Sequence, residues 1–563
     1  MAETGSWLER AERCLVEGDL VRAQQLCGRA LSSNQNVAEA LRLLALISRR
    51  AHNLDEAIAL ARRAAAADET NAACACTLGE LLTVAGRAAQ AILVLQSTVE
   101  HHPAVAQAQQ LLGDAYAAAN CPAAAEDAYR AALALWPDYP EAHAGLGRLH
   151  AHEGRPDEAV AALETALRLQ PGNAGAQAAL GEILRNRAQA LLSGGQLSQA
   201  LKLTQRASVL APNDADAHYV LGNVLLRMQR PQESLTSYRR ALNLSPTPKA
   251  RFALASPLLM LGQFQPGWDA YEARLGMAGV PWKICNPLDR LWDGREIGGR
   301  KLLVHTEQGL GDTLQFIRYL PLVRGRAGPD ARIELLCEPP LARLLATVEG
   351  YDALHAPRQL AGMEYDVQVP LLSLPQRFGT TLDSIPGSVP YLRLPADARR
   401  ALERPAGAKL VVAFAWAGRP THADDQMRSC GIGRFASLFD LEGVHFRAIQ
   451  VGERAADIKP WLARPNVSSM TEGLTDFADT LAVMDQADLV IAVDTSVVHL
   501  AGAAGKPVWT LLAYGGEWRW LMEREDSPWY PTMRLFRQRA PGDWDEVFAR
   551  IRARLEGTVN RER

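Results

Sequence analysis

Long apolar runs are missing from this sequence. No stretch reaches the roughly 18 apolar residues that a membrane-spanning helix needs, so we predict no membrane span. The first residues, MAETGSWLERAERC, are polar and charged rather than signal-like. An excess of positive charge is missing too, because the formal net charge is −3. We therefore predict neither nucleic acid nor an anionic membrane as a partner.

Cysteines are few and lie far apart. Their spacing matches neither a zinc pair-of-pairs nor a compact disulfide framework. We predict reduced thiols that act mostly as small core residues in a cytoplasmic protein. The eight positions are Cys14, Cys27, Cys74, Cys76, Cys121, Cys285, Cys337 and Cys430.

Two common nucleotide-binding fingerprints are also missing. No G-x-x-x-x-G-K-[ST] P-loop occurs. One glycine-rich turn, Gln308–Asp312, follows a predicted strand, but it lacks the third glycine and the distant ribose-binding acid of the dinucleotide fingerprint. Its glycines let a backbone approach a ligand closely. What the chain does have is length and a hydrophobic fraction of 48%, enough for several domains with sizeable cores.

The first 245 residues repeat with a period of 34. The segment 140–173 reads PEAHAGLGRLHAHEGRPDEAVAALETALRLQPGN, and its Leu146-Gly147 pair recurs 34 and 68 residues earlier as Leu112-Gly113 and Leu78-Gly79. This is the period of tetratricopeptide repeats. The small residues are expected where the two helices of a repeat cross closely, and Pro171 should end the second helix.

One repeat is longer than the others. Gly181 and Gly222 are 41 residues apart, seven more than the period, which predicts about two extra helical turns. We count seven recognisable repeats and a partial one from Phe252 to Arg274. Arrays of this kind offer an extended concave face and bind proteins or peptides far more often than they do chemistry. We expect no metal-binding role for the array's histidines, namely His101, His102, His143, His150 and His152.

Past Pro281 short apolar strands alternate with helical stretches. A linker rich in Pro, Gly and Trp leads into this half, and a proline-punctuated passage, 384–400, divides it. We predict two doubly wound lobes with a ligand at the carboxyl ends of their strands. The predicted domains are a repeat array (1–248), a degenerate repeat and linker (249–299), a first lobe (300–395) and a second lobe with a closing helix (396–563). The predicted strands are 301–304, 333–337, 365–369, 409–416, 445–450 and 489–493.

The strongest strand–turn–helix pattern is Leu489–Trp509. Its apolar run ends in Asp494-Thr495-Ser496, residues that favour turns and helix N-caps. The helix that follows carries His499 and stops at Gly505-Lys506-Pro507. Backbone N–H groups and the positive end of the helix dipole meet there, so we predict an anion site. An ordinary βαβ crossover with an N-cap explains the same pattern. A simple N-cap role likewise explains the position of Asp312 at the start of a helix.

The motifs HTEQGLGDTLQFIRYLP and VDTSVVHLAGAAGKPVW, with PLLSLPQRFGTTLDSIPGSVPYL and DSPWYPTMRLFRQ, resemble bacterial proteins that join tetratricopeptide repeats to a glycosyltransferase-like domain. That domain is similar to the heptosyltransferases of lipopolysaccharide synthesis. The resemblance implies an all-α tetratricopeptide solenoid followed by an α/β GT-B domain of two Rossmann-like lobes. It also implies sugar transfer from a nucleotide-activated donor. Some similar proteins are implicated in O-linked glycosylation of flagellin. In such a protein, the repeats would hold the protein acceptor.

The same resemblance implies roles for single residues. Asp312, in the motif G-D-x-x-x-x-x-P, would be the catalytic base of an inverting transfer. Arg428 stands where a basic residue, often Lys, neutralises the departing pyrophosphate, and Glu453 where a carboxylate grips the donor's ribose. Ser496 replaces the usual glycine of D-T-G-x-x-H, and its hydroxyl offers another donor bond to phosphate. The donor-binding residues implied are Gln308, Gly309, Gly311, Trp416, Arg428, Glu453, Asp494, Thr495, Ser496 and His499.

Simpler interpretations stay open for several of these residues. Arg428 could pair with Asp424 or Asp425 on the surface, Glu453 could belong to a common Gly-Glu turn, and His499 could be a satisfied helix histidine. A group of aromatic residues after the second turn could stack on a ligand or staple the closing segment across the other lobe, and we favour the staple. This group is Tyr514, Trp518, Trp520, Trp529 and Tyr530.

No metal or other cofactor is expected. Two D-x-D sequences occur. Asp543-Trp544-Asp545 is predicted to cap the closing helix and Asp214-Ala215-Asp216 to lie between repeats, so we interpret both as structural rather than cation-binding. Our leading hypothesis is a cytoplasmic, metal-independent glycosyltransferase acting on a protein acceptor. A catalytically inactive scaffold that binds a nucleotide sugar and protein partners, or a heptosyltransferase-like enzyme acting on a glycolipid, stays open. Neither the donor sugar nor the oligomeric state can be predicted.

Overall fold

The computed structural model describes residues 6–34, 36–277, 288, 290–422, 425–515 and 517–561. Residues 281–287 and 289 of the predicted linker, among them Cys285, lie outside these residues, and so does Asp424. The chain forms two compact units, Met1–Asn213 and Asp214–Arg563. Each unit is taken in turn.

The first unit consists of paired helices. Each helix has 11 to 14 residues except α11, which has 20 and so contains the two extra turns predicted from the sequence. The helices are α1 (Trp7–Glu17), α2 (Leu20–Ser32), α3 (Val37–Arg50), α4 (Leu54–Ala67), α5 (Ala72–Val84), α6 (Ala88–His101), α7 (Ala106–Ala118), α8 (Pro122–Leu135), α9 (Pro140–His152), α10 (Pro156–Leu169), α11 (Ala174–Ser193) and α12 (Leu197–Leu210).

The glycines of the repeats lie where paired helices cross. A Cβ added to Gly79 would come within 2.5 Å of the Leu95 side chain, and one added to Gly147 within 2.5 Å of Leu163. Ordinary Cβ atoms do not approach other heavy atoms so closely, because interiors are already close-packed. The predicted need for small residues at these crossings is confirmed.

The second unit begins with the last regular repeat and a degenerate one. Asp214 caps α13 by accepting hydrogen bonds from the backbone N–H groups of Asp216 (2.9 Å) and Ala217 (3.3 Å), which confirms a structural role for this D-x-D sequence. The pairs α1–α2 to α13–α14 make seven repeats, the number expected. The helices are α13 (Ala215–Arg227), α14 (Pro231–Leu244), α15 (Pro248–Ala253), α16 (Ala255–Met260) and α17 (Phe264–Tyr271).

A four-stranded parallel sheet follows, with the strand order β3-β2-β1-β4. Its central strand β1 is almost completely buried, as expected for a strand covered on both faces. The short β3 was not among the predicted strands. The elements are β1 (Lys301–His305), α18 (Leu310–Phe316), α19 (Leu320–Ala327), β2 (Arg332–Leu336), α20 (Pro339–Leu345), β3 (Ala353–His355), β4 (Val367–Pro370) and α21 (Leu374–Arg377).

A six-stranded parallel sheet completes the unit, in the order β10-β9-β8-β5-β6-β7. The two strands with the most continuous apolar runs, β5 and β8, are neighbours near its centre. Three outer strands were not predicted. The elements are β5 (Leu410–Ala415), α22 (Asp425–Arg428), α23 (Ile432–Phe435), β6 (Val444–Ala448), β7 (Val467–Ser469), α24 (Phe477–Met484), β8 (Leu489–Val493), α25 (Ser496–Ala503), β9 (Val508–Leu512), β10 (Met533–Arg537) and α26 (Trp544–Arg561).

These observations confirm the predicted fold class of a helical repeat array followed by α/β structure with parallel sheets. Asp543 accepts a hydrogen bond from the Glu546 backbone N–H at 3.2 Å at the start of α26, so the second D-x-D sequence is also a cap. Among the described residues, no helix is both long enough and apolar enough to cross a membrane.

Candidate functional site

The turn after β8 holds a buried carboxylate and an unused hydroxyl. The Asp494 carboxylate accepts a hydrogen bond from the Trp520 indole N–H at 2.8 Å. Thr495 is the N-cap of α25 by its backbone, but its side chain makes no cap bond, and its buried Oγ1 has no partner among the described residues. The N-cap interpretation is therefore correct for the backbone of Thr495, although its side chain does not cap the helix. The helix N-terminus keeps its N–H groups and an extra hydroxyl for an anion.

Buried arginines surround this turn. Burial raises the pKa of Asp494, while the Trp520 hydrogen bond and the charges of Arg519, Arg428 and Arg537 act in the opposite direction. Arg537 is itself sufficiently buried that its pKa falls to about 10. Positive charge is thus concentrated next to a helix N-terminus, where an anionic ligand is favoured.

His499 is neutral and firmly held. Its Nδ1 lies 2.9 Å from the Tyr530 hydroxyl, and its ring stacks on Trp520 with the centroids 5.4 Å apart. Burial, followed by the charges of Arg519 and Arg318, lowers its pKa well below the usual value. The interpretation as a satisfied helix histidine is therefore correct in packing terms, although the ring lies at the turn itself.

The turn after β1 lies against the turn after β8. A Cβ added to Gly311 would lie 2.9 Å from His499 Cδ2 and 3.4 Å from Ser496 Cα. Gly311 therefore allows α18 and α25, which follow strands of different sheets, to approach each other. The glycine was predicted to approach a ligand, whereas its nearest neighbours here are protein atoms.

Asp312 is the third residue of α18 rather than its N-cap, which is Gly309. Its Oδ2 accepts a hydrogen bond from the Gly309 backbone N–H at 2.7 Å, and its Oδ1 forms an ion pair with Arg519. The N-cap interpretation is therefore corrected to a bond that reaches back from the first turn. Asp312 thus joins the first sheet's turn to the segment that follows β9.

Arg519 and Glu517 were missed by sequence reasoning. Arg519 also pairs with Glu517, donates from Nε to Gln315 Oε1 at 2.6 Å, and lies over the Trp518 ring at 4.2 Å. Both residues belong to the run EWRW, in which the sequence patterns pointed only to the two tryptophans. A charged pair between aromatic residues is the signal that could have found them, since buried charges need partners.

The degenerate repeat supports the first turn from behind. The fully buried Arg274 donates from Nε and Nη2 to the two carboxylate oxygens of Glu307, at 3.0 and 2.6 Å. The Tyr271 hydroxyl donates to Gln308 Oε1 at 3.0 Å, and Gln308 has a left-handed backbone with φ of 60°. Gln308, predicted to bind the donor, is thus held by a repeat residue.

Trp416 directly follows β5. Its side chain is fully buried in the core of the second sheet, with its ring 5.7 Å from that of Phe414. Its indole N–H points to Asp457, 3.4 Å away. The side chain that follows β5 therefore faces inward, and the role of Trp416 in donor binding stays a prediction.

Arg428 is close to the turn and only weakly paired. Its Nε lies 4.0 Å from Asp425, whose carboxylate is held instead by Arg454 (2.6 Å) and the Ser429 hydroxyl (2.7 Å). The buried Arg428 Nε has no hydrogen-bond partner among the described residues. The interpretation of a pair with Asp425 is therefore correct, although the contact of 4.0 Å is too long for a hydrogen bond, and Asp424 lies outside the described residues.

Glu453 is exposed and follows Gly452, whose φ of 79° fits a turn. It begins a short 3-10 helix, so the Gly-Glu turn interpretation describes its backbone correctly. Its position leaves the carboxylate open to solvent, and its predicted contact with a ribose stays a prediction.

The aromatic group is divided between two tasks. The Trp518 ring packs edge-on against Trp268 with centroids 5.3 Å apart, and Trp529 packs against Phe316 at 5.7 Å. These contacts join the closing segment to the degenerate repeat and the first sheet, which confirms the staple. Trp520 and Tyr530 instead contact the site residues Asp494 and His499.

One group of possible metal ligands occurs in the repeats. Single ligand atoms of Glu126, His150 and Glu153 lie within 4.8 Å of one another. The guanidinium of Arg155 pairs with both carboxylates. Arg155 therefore already neutralises the negative charge of the two carboxylates, and we assign no ligand role to His150.

The fold and the site together define a class of protein: tetratricopeptide repeats joined to an α/β domain of two parallel sheets. The turns after β1 and β8 meet at Gly311 and His499, and we call this place the cleft. Tetratricopeptide repeat profiles match residues 9–72, 76–140, 111–174, 151–224 and 215–248. The profile of glycosyltransferase family 9 (heptosyltransferase) matches residues 453–532, the part that holds the second turn and the EWRW run. Together with the repeat profiles, this match confirms the predicted resemblance.

One relative of this chain is Protein FlbA of Caulobacter vibrioides. It is 27% identical over 375 residues, a span of 62% of this chain and 62% of that protein. The solved structures that match include the Cut9–Hcn1 hetero-tetramer of APC/C, with a TM-score of 0.32, 16% identity and coverage of 45% of this chain and 55% of that one. They also include YrrB, described as a TPR protein with an unusual peptide-binding site, with a TM-score of 0.27, 21% identity and coverage of 34% and 95%.

Proposed function

We propose that this chain is an inverting, metal-independent glycosyltransferase of the GT-B fold. It would move a sugar from a nucleotide-activated donor to a hydroxyl of a protein acceptor. One observation carries the proposal: turns at the carboxyl ends of two parallel sheets meet at Gly311, His499 and the Asp312–Arg519 ion pair. Open parallel sheets bind ligands at such edges. The proposed functional domains keep the predicted limits of 1–248, 249–299, 300–395 and 396–563.

The second turn is the proposed donor-phosphate site. A nucleoside diphosphate carries negative charge, and the N-terminus of α25 supplies N–H groups and a positive dipole end. The unpartnered Thr495 hydroxyl and Arg428 Nε can donate further hydrogen bonds. Ser496 adds its hydroxyl, and the exposed Glu453 would bind the ribose. The same groups would stabilise the charge that develops on the leaving diphosphate.

Asp312 is the proposed base. The acceptor oxygen attacks the anomeric carbon while the bond from that carbon to the phosphate oxygen breaks. The bonding electron pair leaves with the nucleoside diphosphate, and the acceptor's proton passes to the Asp312 carboxylate. Because the attack and departure take place on opposite faces of the sugar, the configuration at the anomeric carbon inverts.

Arginines and a helix end replace a metal in this proposal. Arg428, Arg519 and Arg537 lie close enough to Asp494 to oppose the rise in its pKa that burial causes, and they bring positive charge to the phosphate turn. A leaving diphosphate can therefore be neutralised by protein groups alone. We expect a chelator to leave transfer unchanged.

The proposed acceptor is a protein bound on the concave face of the repeats. Repeat arrays commonly bind peptides in this way, whereas a glycolipid acceptor would give seven repeats no task. Flagellin is the acceptor that the sequence resemblance implies.

The test of the enzyme uses a panel of UDP-, GDP-, ADP-, dTDP- and CMP-linked sugars with an acceptor lysate, read by intact mass. We expect Asp312→Asn to lower transfer and donor hydrolysis by about 10²- to 10⁴-fold, the usual contribution of general base catalysis. Asp330→Asn is the matched control, because Asp330 is an exposed aspartate in the same lobe. If wild type turns over no donor, or Asp312→Asn equals wild type, the proposal fails.

A second arm tests the acceptor role. Removing residues 1–213 takes away one complete compact unit and leaves the other. We expect donor hydrolysis to persist and protein transfer to fall. Transfer to protein at the wild-type rate would contradict acceptor binding by the array, and transfer to a glycolipid fraction would favour the heptosyltransferase-like alternative.

A further inference from the structure

One cation in the cleft serves two carboxylates. Arg519 pairs through Nη2 with Asp312 and through Nη1 with Glu517, while its Nε donates to Gln315 at 2.6 Å. The Trp518 ring lies against the guanidinium at 4.2 Å. With its nitrogens engaged and one face covered, the guanidinium has little freedom to move. The two carboxylates therefore compete for a single fixed positive charge.

The two carboxylates are held differently. Asp312 is anchored to both sides of the cleft, because Gly309 N–H binds its other oxygen at 2.7 Å. Among the described residues, Glu517 is bonded only to its own segment, through the side chain of Arg519 and the Arg519 backbone N–H at 3.0 Å. About 35% of the Glu517 side chain is exposed, against 17% of that of Asp312. Glu517 can thus gain or lose a proton without disturbing either sheet.

We propose that Glu517 is a second functional carboxylate of the cleft, a positioning residue that competes with Asp312 for Arg519 and so sets the basicity of Asp312. This inference rests on the proposed function, in which Asp312 accepts the acceptor's proton. When Glu517 is protonated, the Arg519 charge acts on Asp312 alone and weakens it as a base. When Glu517 is ionised, the charge is shared and Asp312 becomes a stronger base.

The charges around Glu517 place its titration where this competition matters. Burial and the charges of Asp494 and Asp312 raise its pKa, and the Arg519 charge lowers it. The net result is a pKa of about 7. These charged groups come from three elements, namely the EWRW segment, the end of β8 and α18. Because the carboxylates are coupled through Arg519, the pair titrates together rather than as two independent groups.

The test is a pH profile of kcat/KM for full-length protein, with the nucleotide sugar from the panel that wild type hydrolyses fastest. We expect wild type to gain about tenfold between pH 6 and 8, the change in the ionised fraction of a group with a pKa of about 7. Glu517→Gln should change less than about twofold over this interval, since glutamine does not titrate. Glu517→Asp should restore a pH-dependent limb. Glu523→Gln, an exposed glutamate of the same segment, is the matched control and should follow wild type.

A purely structural role for Glu517 predicts a different result. Glu517→Gln would then be slower at every pH and keep the wild-type midpoint, and that outcome overturns the inference. Absence of turnover by wild type with every donor contradicts the proposed function itself. The two failures are therefore distinguishable.

Stability supplies a readout without turnover. A carboxyl group whose pKa is raised on folding binds its proton more tightly in the folded state. Its contribution to stability is present below about pH 4.5 and is lost as the pH rises towards 7. The Tm of wild type minus that of Glu517→Gln should therefore fall steadily across this interval. A difference that does not change with pH overturns the inference.

Discussion

The two turns that meet in the cleft differ in how completely the protein satisfies them. In the turn after β1, both oxygens of Asp312 have partners and the Gln308 side chain accepts a hydrogen bond from Tyr271. In the turn after β8, the Thr495 hydroxyl and the nearby Arg428 Nε are buried without partners among the described residues. The first turn is completed by the protein, whereas the second keeps donors free.

This difference indicates which half of the cleft a ligand would complete. A buried donor without an acceptor costs roughly 1–3 kcal/mol, so such groups are rare unless something else satisfies them. Phosphate oxygens would accept from both donors. The protein-bonded turn fixes geometry in advance, and the open turn gains its bonds on binding.

The largest expected effect breaks the completed turn. Arg274→Met leaves the Glu307 carboxylate buried without its cation, and we expect a loss of about 3–5 kcal/mol in the free energy of unfolding. Arg295→Met is the control, because its ion pair with Asp293 is exposed and such pairs contribute little. Thermal unfolding of both variants measures the difference. Equal small losses would show that the first turn does not depend on the degenerate repeat.

The next effect tests the contact between the turns. Gly311→Ala brings a methyl group within 2.9 Å of the His499 ring, which Tyr530 and Trp520 hold in place. We expect a loss of about 1–3 kcal/mol, since overpacking forces neighbours to shift. Gly325→Ala, in open space on α19, should instead gain up to about 1 kcal/mol from helix propensity. A gain in both variants would mean that the turns are not closely packed.

The smallest effect isolates the open turn. Thr495→Val removes the unpartnered hydroxyl while keeping the volume, so the free energy of unfolding should rise, by up to about 1–3 kcal/mol, and donor affinity should fall about fivefold, or about 1 kcal/mol. Thr380→Val is the contrast, because its hydroxyl is bonded to the Tyr319 hydroxyl at 2.7 Å and its loss should lower stability. Calorimetric titration with the best donor and thermal unfolding measure the two quantities. Unchanged donor affinity in Thr495→Val would remove this hydroxyl from the donor site.

The repeats and the central strands could be predicted because their signals are local and periodic. The spacing from Gly181 to Gly222 predicted a longer helix, and α11 has 20 residues. The apolar run Leu489–Val493 predicted a buried strand, and β8 covers the same residues. Outer strands such as β7 escaped because they are short and follow no clear alternation.

The candidate site was only partly predictable because side chains reach it from distant segments. Asp312 and Asp494 stand in motifs, but Arg519 is 207 residues from Asp312 along the chain, and no spacing rule connects them. The direction of the Trp416 side chain could not be predicted for a related reason. The end of β5 lies near the site, but the direction of its side chain depends on the pleat of the strand and cannot be read from its position.

The bonds from Tyr271 and Arg274 to the turn after β1 have a consequence for protein engineering. A chimera that exchanges the repeat array with that of another protein cannot be joined at Lys301, where the first strand begins. Such a junction would remove the cation that accompanies Glu307 and the hydroxyl that orients Gln308. Residue 213, the border of the compact units, is the junction at which recombination would keep the second unit intact.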